Sequence, residues 1–294
     1  MASLDVAELR AQFSEPHELV EASDGTTLFL RRWGVFGKSP VSVLIFHGIT
    51  AHSGPYGPVI AEQLARAGFA VFGMDLRGHG LSDGKRGDYP STERWEKDLA
   101  ETVAFVKSRS AKLVVLGHSL GVLSAVHVQQ LCPGEVDGLV LLSVGRTVRT
   151  HVRAPPGAAS VLRSLIGIAL LRGTPLIAVD PREGMVGLDD PLFNFRYSAR
   201  FYNVLYGVGA LRVARMFRMG TVDSPYIHID GKLRIPLFVG VGERDELFPV
   251  ESTRAFYDEL DADRKEFFVV PGARHAIFPK DCWGPLVTWL AHEL

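Results

Sequence analysis

Leu113-Val114-Val115-Leu116-Gly117-His118-Ser119-Leu120-Gly121 is the stretch that decides how this chain folds. Its first four residues form an apolar run of buried-strand type, residues 123–131 are helix-like, and Gly-His-Ser-Leu-Gly fills the turn between them. A serine on so tight a strand-to-helix turn is held in a strained backbone geometry, and glycines two residues to either side remove Cβ atoms that would crowd it. The hydroxyl then projects from the top of a sheet. The pattern alone carries little: 18 serines, each with roughly a 0.1 chance of glycine at two flanking sites, give about 0.18 chance matches in a chain of this composition. The strand before it and the helix after it make Ser119 a candidate nucleophile.

Outward from that turn, strand-like and helix-like segments alternate. Upstream, residues 18–22 and 27–33 read as strands joined across Asp24-Gly25, a pair suited to a hairpin turn. Strands follow at 41–46 and 70–74, with helical segments at 58–67 and 92–108. Downstream, strands are expected at 138–143, 237–241 and 266–270, and helices at 250–260 and 283–292. Such alternation implies an α/β fold: a mostly parallel, eight-stranded sheet covered by helices on both faces. Between about 145 and 230 the alternation stops and an arginine-rich, helix-prone segment with Pro155-Pro156, Pro175 and Pro181 intervenes. The expected organisation is one domain over 1–294 with a helical cap inserted at 145–230.

The composition fits a globular chain with ample core: 294 residues, 47% hydrophobic and 22% charged. A formal net charge of −1 offers no global attraction to nucleic acid, which is excluded as a partner. Cys132 and Cys282 stand far apart without metal-ligand spacing, so neither a disulfide framework nor a zinc site is indicated, and no cofactor is expected. Residues 1–13 carry Asp5, Glu8 and Arg10 among apolar positions and lack the pattern of a secretory leader, which points to the cytoplasm. The most apolar part of the cap, 160–178, is broken by Arg163, Arg172 and Pro175, so no 20-residue membrane span can be drawn there. That segment is either a buried cap helix or one facing substrate or an interface. With eleven arginines and six acidic residues the cap is formally +5; these arginines are either a solvated face or meet an anionic headgroup at a lipid surface.

A serine hydroxyl is a poor nucleophile at neutral pH and needs a base to take its proton and a carboxylate to orient that base. Asp245 follows the strand at 237–241 in Gly242-Glu243-Arg244-Asp245, with Glu243 and Glu246 as rival acids. His275 follows the strand at 266–270 through Pro271-Gly272-Ala273-Arg274. Serine, acid, histidine is the chain order of the α/β hydrolases. His127, on the helix after the serine, reads as packing, and His118 as a residue lining the site without being the base. Attack on a carbonyl also creates an oxyanion that needs donors fixed in advance. His47-Gly48-Ile49 ends the strand at 41–46 and can aim the Ile49 amide there, with the Leu120 amide, at the start of a helix, as the second donor.

Three stretches together resemble the monoacylglycerol lipase and lysophospholipase-like branch of the α/β hydrolases. They are His47-Gly48-Ile49-Thr50-Ala51-His52-Ser53-Gly54-Pro55-Tyr56, then Met74-Asp75-Leu76-Arg77-Gly78-His79-Gly80-Leu81-Ser82 running on through Gly84 to Arg86-Gly87, and Gly117-His118-Ser119-Leu120-Gly121. The resemblance covers about 18–145 and 232–294. It implies Ser119, Asp245 and His275 as catalytic residues and the Ile49 and Leu120 amides as the oxyanion hole. Asp75, Arg77 and His79 are similar to a structural turn of the family and read as scaffold, and Asp189-Asp190-Pro191-Leu192 resembles a short element of its cap. Ala51 and Pro55 stand where family members often carry an acidic residue and an arginine, and Val122 where they carry a second glycine. These departures bear on the substrate and leave the triad untouched.

The expected activity is metal-independent hydrolysis of carboxylic esters through an acyl-enzyme, on a small-molecule or lipid ester similar to a monoacylglycerol or lysophospholipid. Thioesterase, peptidase-like and carbon-carbon hydrolase activities use the same constellation, and a non-catalytic ligand-binding protein could keep the same fold. The cap residues Leu162, Leu165, Ile166, Ile168, Leu170 and Leu171 are expected to lie over Ser119 and line an acyl tunnel.

Overall fold

The computed structural model describes residues 4–34, 39–149, 170–179, 189–207 and 231–294, with positions 159, 162, 166, 222, 223, 227 and 229. Eight strands form one sheet: β1 (His17–Glu21), β2 (Thr27–Trp33), β3 (Ser39–Phe46), β4 (Ala70–Met74), β5 (Ser110–His118), β6 (Gly138–Leu142), β7 (Leu237–Gly242) and β8 (Lys265–Val270). Their order is β1-β2-β4-β3-β5-β6-β7-β8. β1 and β2 pair antiparallel, as do β2 and β4, and every other pairing is parallel. Parallel strands need crossovers, and helices provide them. The helices with both ends among the described residues are α1 (Val6–Ala11), α2 (Glu62–Arg66), α3 (Thr92–Lys107), α4 (Gly121–Leu131), α5 (Ala199–Tyr206), α6 (Val250–Glu259) and α7 (Gly284–Glu293).

The unbroken apolar run in β5 follows from burial on both faces. Leu113 and Val115 join one core with Leu99 and Val103 of α3 and Val122 and Val126 of α4. Val114 and Leu116 point the other way, into a second core with Leu64 of α2 and Leu286, Trp289 and Leu290 of α7. At roughly 1.5–3 kcal/mol for each fully buried aliphatic side chain, these two layers account for most of what holds the sheet. β5 runs further than its apolar core predicts because its ends pair too: Ser110 faces Ser39 of β3, and His118 faces Leu142 of β6. The helix expected at 58–67 begins as a π turn over Gly57–Ala61 before becoming α2.

The described part of 145–230 is mixed in structure. It holds α5, capped by the Ser198 hydroxyl on the Phe201 amide and ended by Gly207 at φ 61°. It also holds two short antiparallel ladders, Thr147–Val148 with Val222–Asp223 and Ile177–Ala178 with Arg196–Tyr197. Tyr197, Phe201 and Leu205 anchor this segment in the same core as α3 and α4. The acyl-tunnel expectation needs correction at the four positions described. Leu162, Ile166, Leu170 and Leu171 are 59%, 39%, 77% and 46% exposed, and they face solvent. Leu165 and Ile168 lie outside the described residues. Among the described residues no helix is long and apolar enough to cross a membrane.

Candidate active site

Ser119 sits between β5 and α4 with φ 55°, a left-handed conformation that costs a non-glycine residue energy and marks functional sites. Its flanking glycines are required by contact. A Cβ on Gly121 would lie 2.0 Å from the Phe46 carbonyl oxygen, and one on Gly117 would lie 2.4 Å from the Gly121 carbonyl oxygen. At Gly48, by contrast, a Cβ would meet its neighbours at an ordinary 3.5 Å.

His275 Nε2 lies 2.9 Å from Ser119 Oγ, and His275 Nδ1 lies 3.0 Å from Asp245 Oδ2. A carboxylate only accepts, so Nδ1 carries the proton toward Asp245 and Nε2 is left to accept from the serine hydroxyl. Asp245 is itself held: its Oδ1 accepts from the Leu247 and Phe248 amides, each at 2.9 Å. Burial alone would raise its pKa. The charge and hydrogen bond of His275 and the Phe248 amide overcome that and bring it down to about 2. The rival acids are occupied elsewhere, Glu243 accepting from the Gly272 amide at 2.7 Å and Glu246 from the His275 amide at 3.1 Å.

The other histidines separate by their partners. His127 stacks on Trp95 at 4.6 Å and pairs with Glu96 at 3.0 Å, away from the serine. His47 is fully buried, donating from Nδ1 to the Gly48 carbonyl and accepting the Leu76 amide at Nε2. Asp75 accepts the amides of Ser53 and Leu81, at 2.7 and 2.8 Å, and Arg77 is bound to Asp98, so both stand as scaffold. His118 lines the site: its Nε2 donates to the His275 carbonyl at 2.9 Å, which leaves Nδ1 to accept from the Tyr56 hydroxyl at 2.7 Å. Tyr56 in turn accepts the Gly48 amide at 2.9 Å. Tyr56, whose hydroxyl bridges the Gly48 amide and His118, escaped the reading of the sequence as a site residue. Its place at the end of the His47 motif is the signal that could have found it.

The amides of Ile49 and Leu120 donate to no protein acceptor among the described residues. Ile49 lies on the loop after β3 and lines the same pocket as Ser119, and Leu120 follows Ser119 at the N-terminus of α4. Beside them opens a pocket lined in part by Ser119, His118 and His275. Its wall is mainly apolar, with Ala51, Pro55, Val59, Val179, Phe193 and Phe278, while Tyr56 and His118 supply polar groups. Ala51 and Pro55 are two of the positions where the chain departs from the family pattern. Among the described residues no group of three or more His, Cys, Asp or Glu side chains is placed to hold a metal ion.

The strand order, the serine on a turn after the central strand and the acid and histidine following β7 and β8 define an α/β-hydrolase. A family model described as serine aminopeptidase, S33, matches residues 37–281. A monoglyceride lipase of Rattus norvegicus is 32% identical over 289 residues, covering 95% of this chain and 91% of that protein. A monoacylglycerol lipase of Mycolicibacterium smegmatis is 28% identical over 246 residues, 80% and 81% of the two chains. Among solved structures, a monoacylglycerol lipase of Paleococcus ferrophilus superposes with a TM-score of 0.64 at 26% identity, over 91% of this chain and 99% of that one. The chain belongs to the serine aminopeptidase S33 family of α/β-hydrolases, in its monoacylglycerol lipase-like branch.

Proposed function

We propose that the protein is a serine hydrolase that cleaves carboxylic esters through an acyl-enzyme. The observation that carries this reading is the unbroken hydrogen-bonded chain Ser119–His275–Asp245 beside an apolar pocket. His275 Nε2 takes the hydroxyl proton as Ser119 Oγ bonds to the ester carbon, and the Ile49 and Leu120 amides receive the oxyanion. Asp245 stays ionised and stabilises the imidazolium. Collapse expels the alcohol, which leaves with the proton from Nε2. Water, deprotonated by the same nitrogen, then releases the acid.

The substrate is a monoacylglycerol-like or lysophospholipid-like ester. The apolar pocket wall, closed in part by Val179 and Phe193 of the cap, suits an acyl chain, and the names of the relatives agree. Residues 145–230 act as a cap whose outer face meets a lipid surface. Leu162, Ile166 and Leu170 recur every four residues, one helical face, and all are exposed. A fluorophosphonate probe, followed by peptide mapping, should label Ser119. A panel of p-nitrophenyl esters, monoacylglycerols and lysophospholipids should show kcat/KM rising from two-carbon toward longer acyl chains, by up to about 0.8 kcal/mol per buried methylene. Absence of labelling removes the nucleophile, and a preference for acetate esters removes the lipid substrate.

A further inference from the structure

The loop after β3, which carries the Ile49 amide, is gripped from one side by a short stretch of the cap. His52 is 1% exposed, and its Nε2 lies 2.9 Å from Asp190 Oδ2. Its Nδ1 accepts the Gly54 amide at 3.1 Å, so Nε2 carries the proton that goes to Asp190. The Asn194 amide donates to the Thr50 carbonyl at 3.0 Å, and the Asn194 side chain to the Gly78 carbonyl at 2.7 Å. The Tyr197 hydroxyl, wholly buried, donates to the carbonyl of Ile49 itself. Tyr197 is locked in turn by the Phe201 ring at 4.5 Å and by His79 Nε2 at 3.2 Å.

The direction of an amide N–H is set by the peptide planes around it. The plane that contains the Ile49 N–H also contains the Gly48 carbonyl, which accepts from His47 Nδ1 at 2.8 Å and from the Ala51 amide at 3.3 Å. The next plane contains the Ile49 carbonyl, held by Tyr197. With both planes fixed, φ and ψ of Ile49 are fixed, and its N–H is aimed before any charge develops. Preorganised donors act in this way because they pay no reorganisation as the oxyanion forms. The first plane is held by the core of the sheet. Among the described residues, the second is held only from the cap.

We infer that residues 190–197 form a positioning clamp for the oxyanion amide, with Tyr197 and Asp190 as its working side chains, so that hydrolysis depends on the cap being seated on the β3 loop. The inference rests on the proposed role of the Ile49 amide. Neither clamp residue touches the reacting atoms. Tyr197 acts through the Ile49 carbonyl, and Asp190 through His52, three residues further along the same loop.

Tyr197→Phe removes a single hydroxyl and Asp190→Asn removes the charge that His52 faces. Each should lower kcat on p-nitrophenyl butyrate about tenfold, part of the roughly 10²–10³ lost when an oxyanion donor is deleted, with KM within about twofold. The pH midpoint of kcat/KM should not move, because the Ser119–His275–Asp245 geometry is untouched. A merely structural role would lower the unfolding midpoint in urea and leave kcat in place. Unchanged kcat in the folded variants, a change confined to KM or a displaced midpoint each overturns the clamp. Should Tyr197→Phe fail to fold, Asp190→Asn decides, its side chain being 32% exposed and tolerant of an isostere. Wild-type enzyme that neither labels at Ser119 nor cleaves the ester counts against the proposed function, whereas an active wild type with fully active variants counts against the clamp alone.

Discussion

Ser119 Oγ and His275 Nε2 are 2.9 Å apart although 156 positions separate them in the chain. They meet because β5, β6, β7 and β8 are adjacent and parallel, so the loops after β5, β7 and β8 all leave the same edge of the sheet. The same edge carries Asp245, and the structure shows that this carboxylate, among three candidates, reaches the imidazole.

Asp245→Asn should therefore lower kcat by about 10⁴, because an amide no longer enforces the tautomer in which Nε2 accepts the serine proton. Glu246→Gln keeps an acceptor for the His275 amide and should cost less than about tenfold. Turnover of p-nitrophenyl butyrate by the two variants checks both statements. The reverse ranking would transfer the role to Glu246.

Stability should fall on acidification through histidines that catalysis does not use. Complete burial pushes His47 from its ordinary value near 6.5 down to about 4 and holds His79 well below its ordinary value. Below pH 6.5 the unfolded chain takes up protons that these folded groups refuse, so unfolding becomes easier as pH drops, and the His47 contribution levels off near pH 4. Each such histidine should contribute a slope of about 1.4 kcal/mol per pH unit in that window. Urea titrations from pH 7.5 to 4.5 measure it, and a flat profile would contradict the burial of both rings as neutral groups. Asp245, held at about 2, stays ionised through this window, so its own contribution is lost only as pH falls below about 4 toward 2.

Gly121→Ala should cripple folding more than a surface helix substitution would. The added Cβ meets a backbone oxygen of β3 at 2.0 Å, and neither the strand nor α4 can retreat without opening the core between them. Overpacking costs typically 1–3 kcal/mol even where side chains can adjust, and here the obstacle is main chain. A loss of at least about 3 kcal/mol in urea, with probe labelling of Ser119 abolished, is the expected outcome.

Asp98→Asn should destabilise the protein by about 3 kcal/mol and leave KM for esters unchanged. Asp98 is fully buried and accepts from Arg77 Nε at 2.7 Å, Arg94 Nε at 2.8 Å and the Tyr89 hydroxyl at 2.6 Å. Neutralising it leaves the Arg77 guanidinium, 5% exposed, without its main counter-charge. Denaturation and steady-state kinetics on the same variant separate this scaffold role from the site, and an equal loss of ester affinity would refute the separation.

Much of this protein was legible one segment at a time. The apolar runs of β3 to β7 announce strands buried on both faces because their alternate side chains meet one core or the other, and the Gly117-His118-Ser119-Leu120-Gly121 turn announces a candidate nucleophile because only glycines fit against the Phe46 and Gly121 carbonyls. Local chemistry at that level is carried by neighbours in sequence, so a sequence alone determines the α/β class, the serine and the order of acid and histidine. The sequence named Asp245 through its resemblance to a family, but the residues themselves left Glu243 and Glu246 as rivals, since the three lie within four positions and differ only in where the loop after β7 points them. Nor could it anticipate that Leu162, Ile166 and Leu170 turn outward while Val179 and Phe193 line the pocket, or that Tyr197 would bond to Ile49 across 148 positions. Those relationships arise from packing between distant segments. An apolar residue or a hydroxyl specifies that it must find a partner, and only the tertiary structure selects which one.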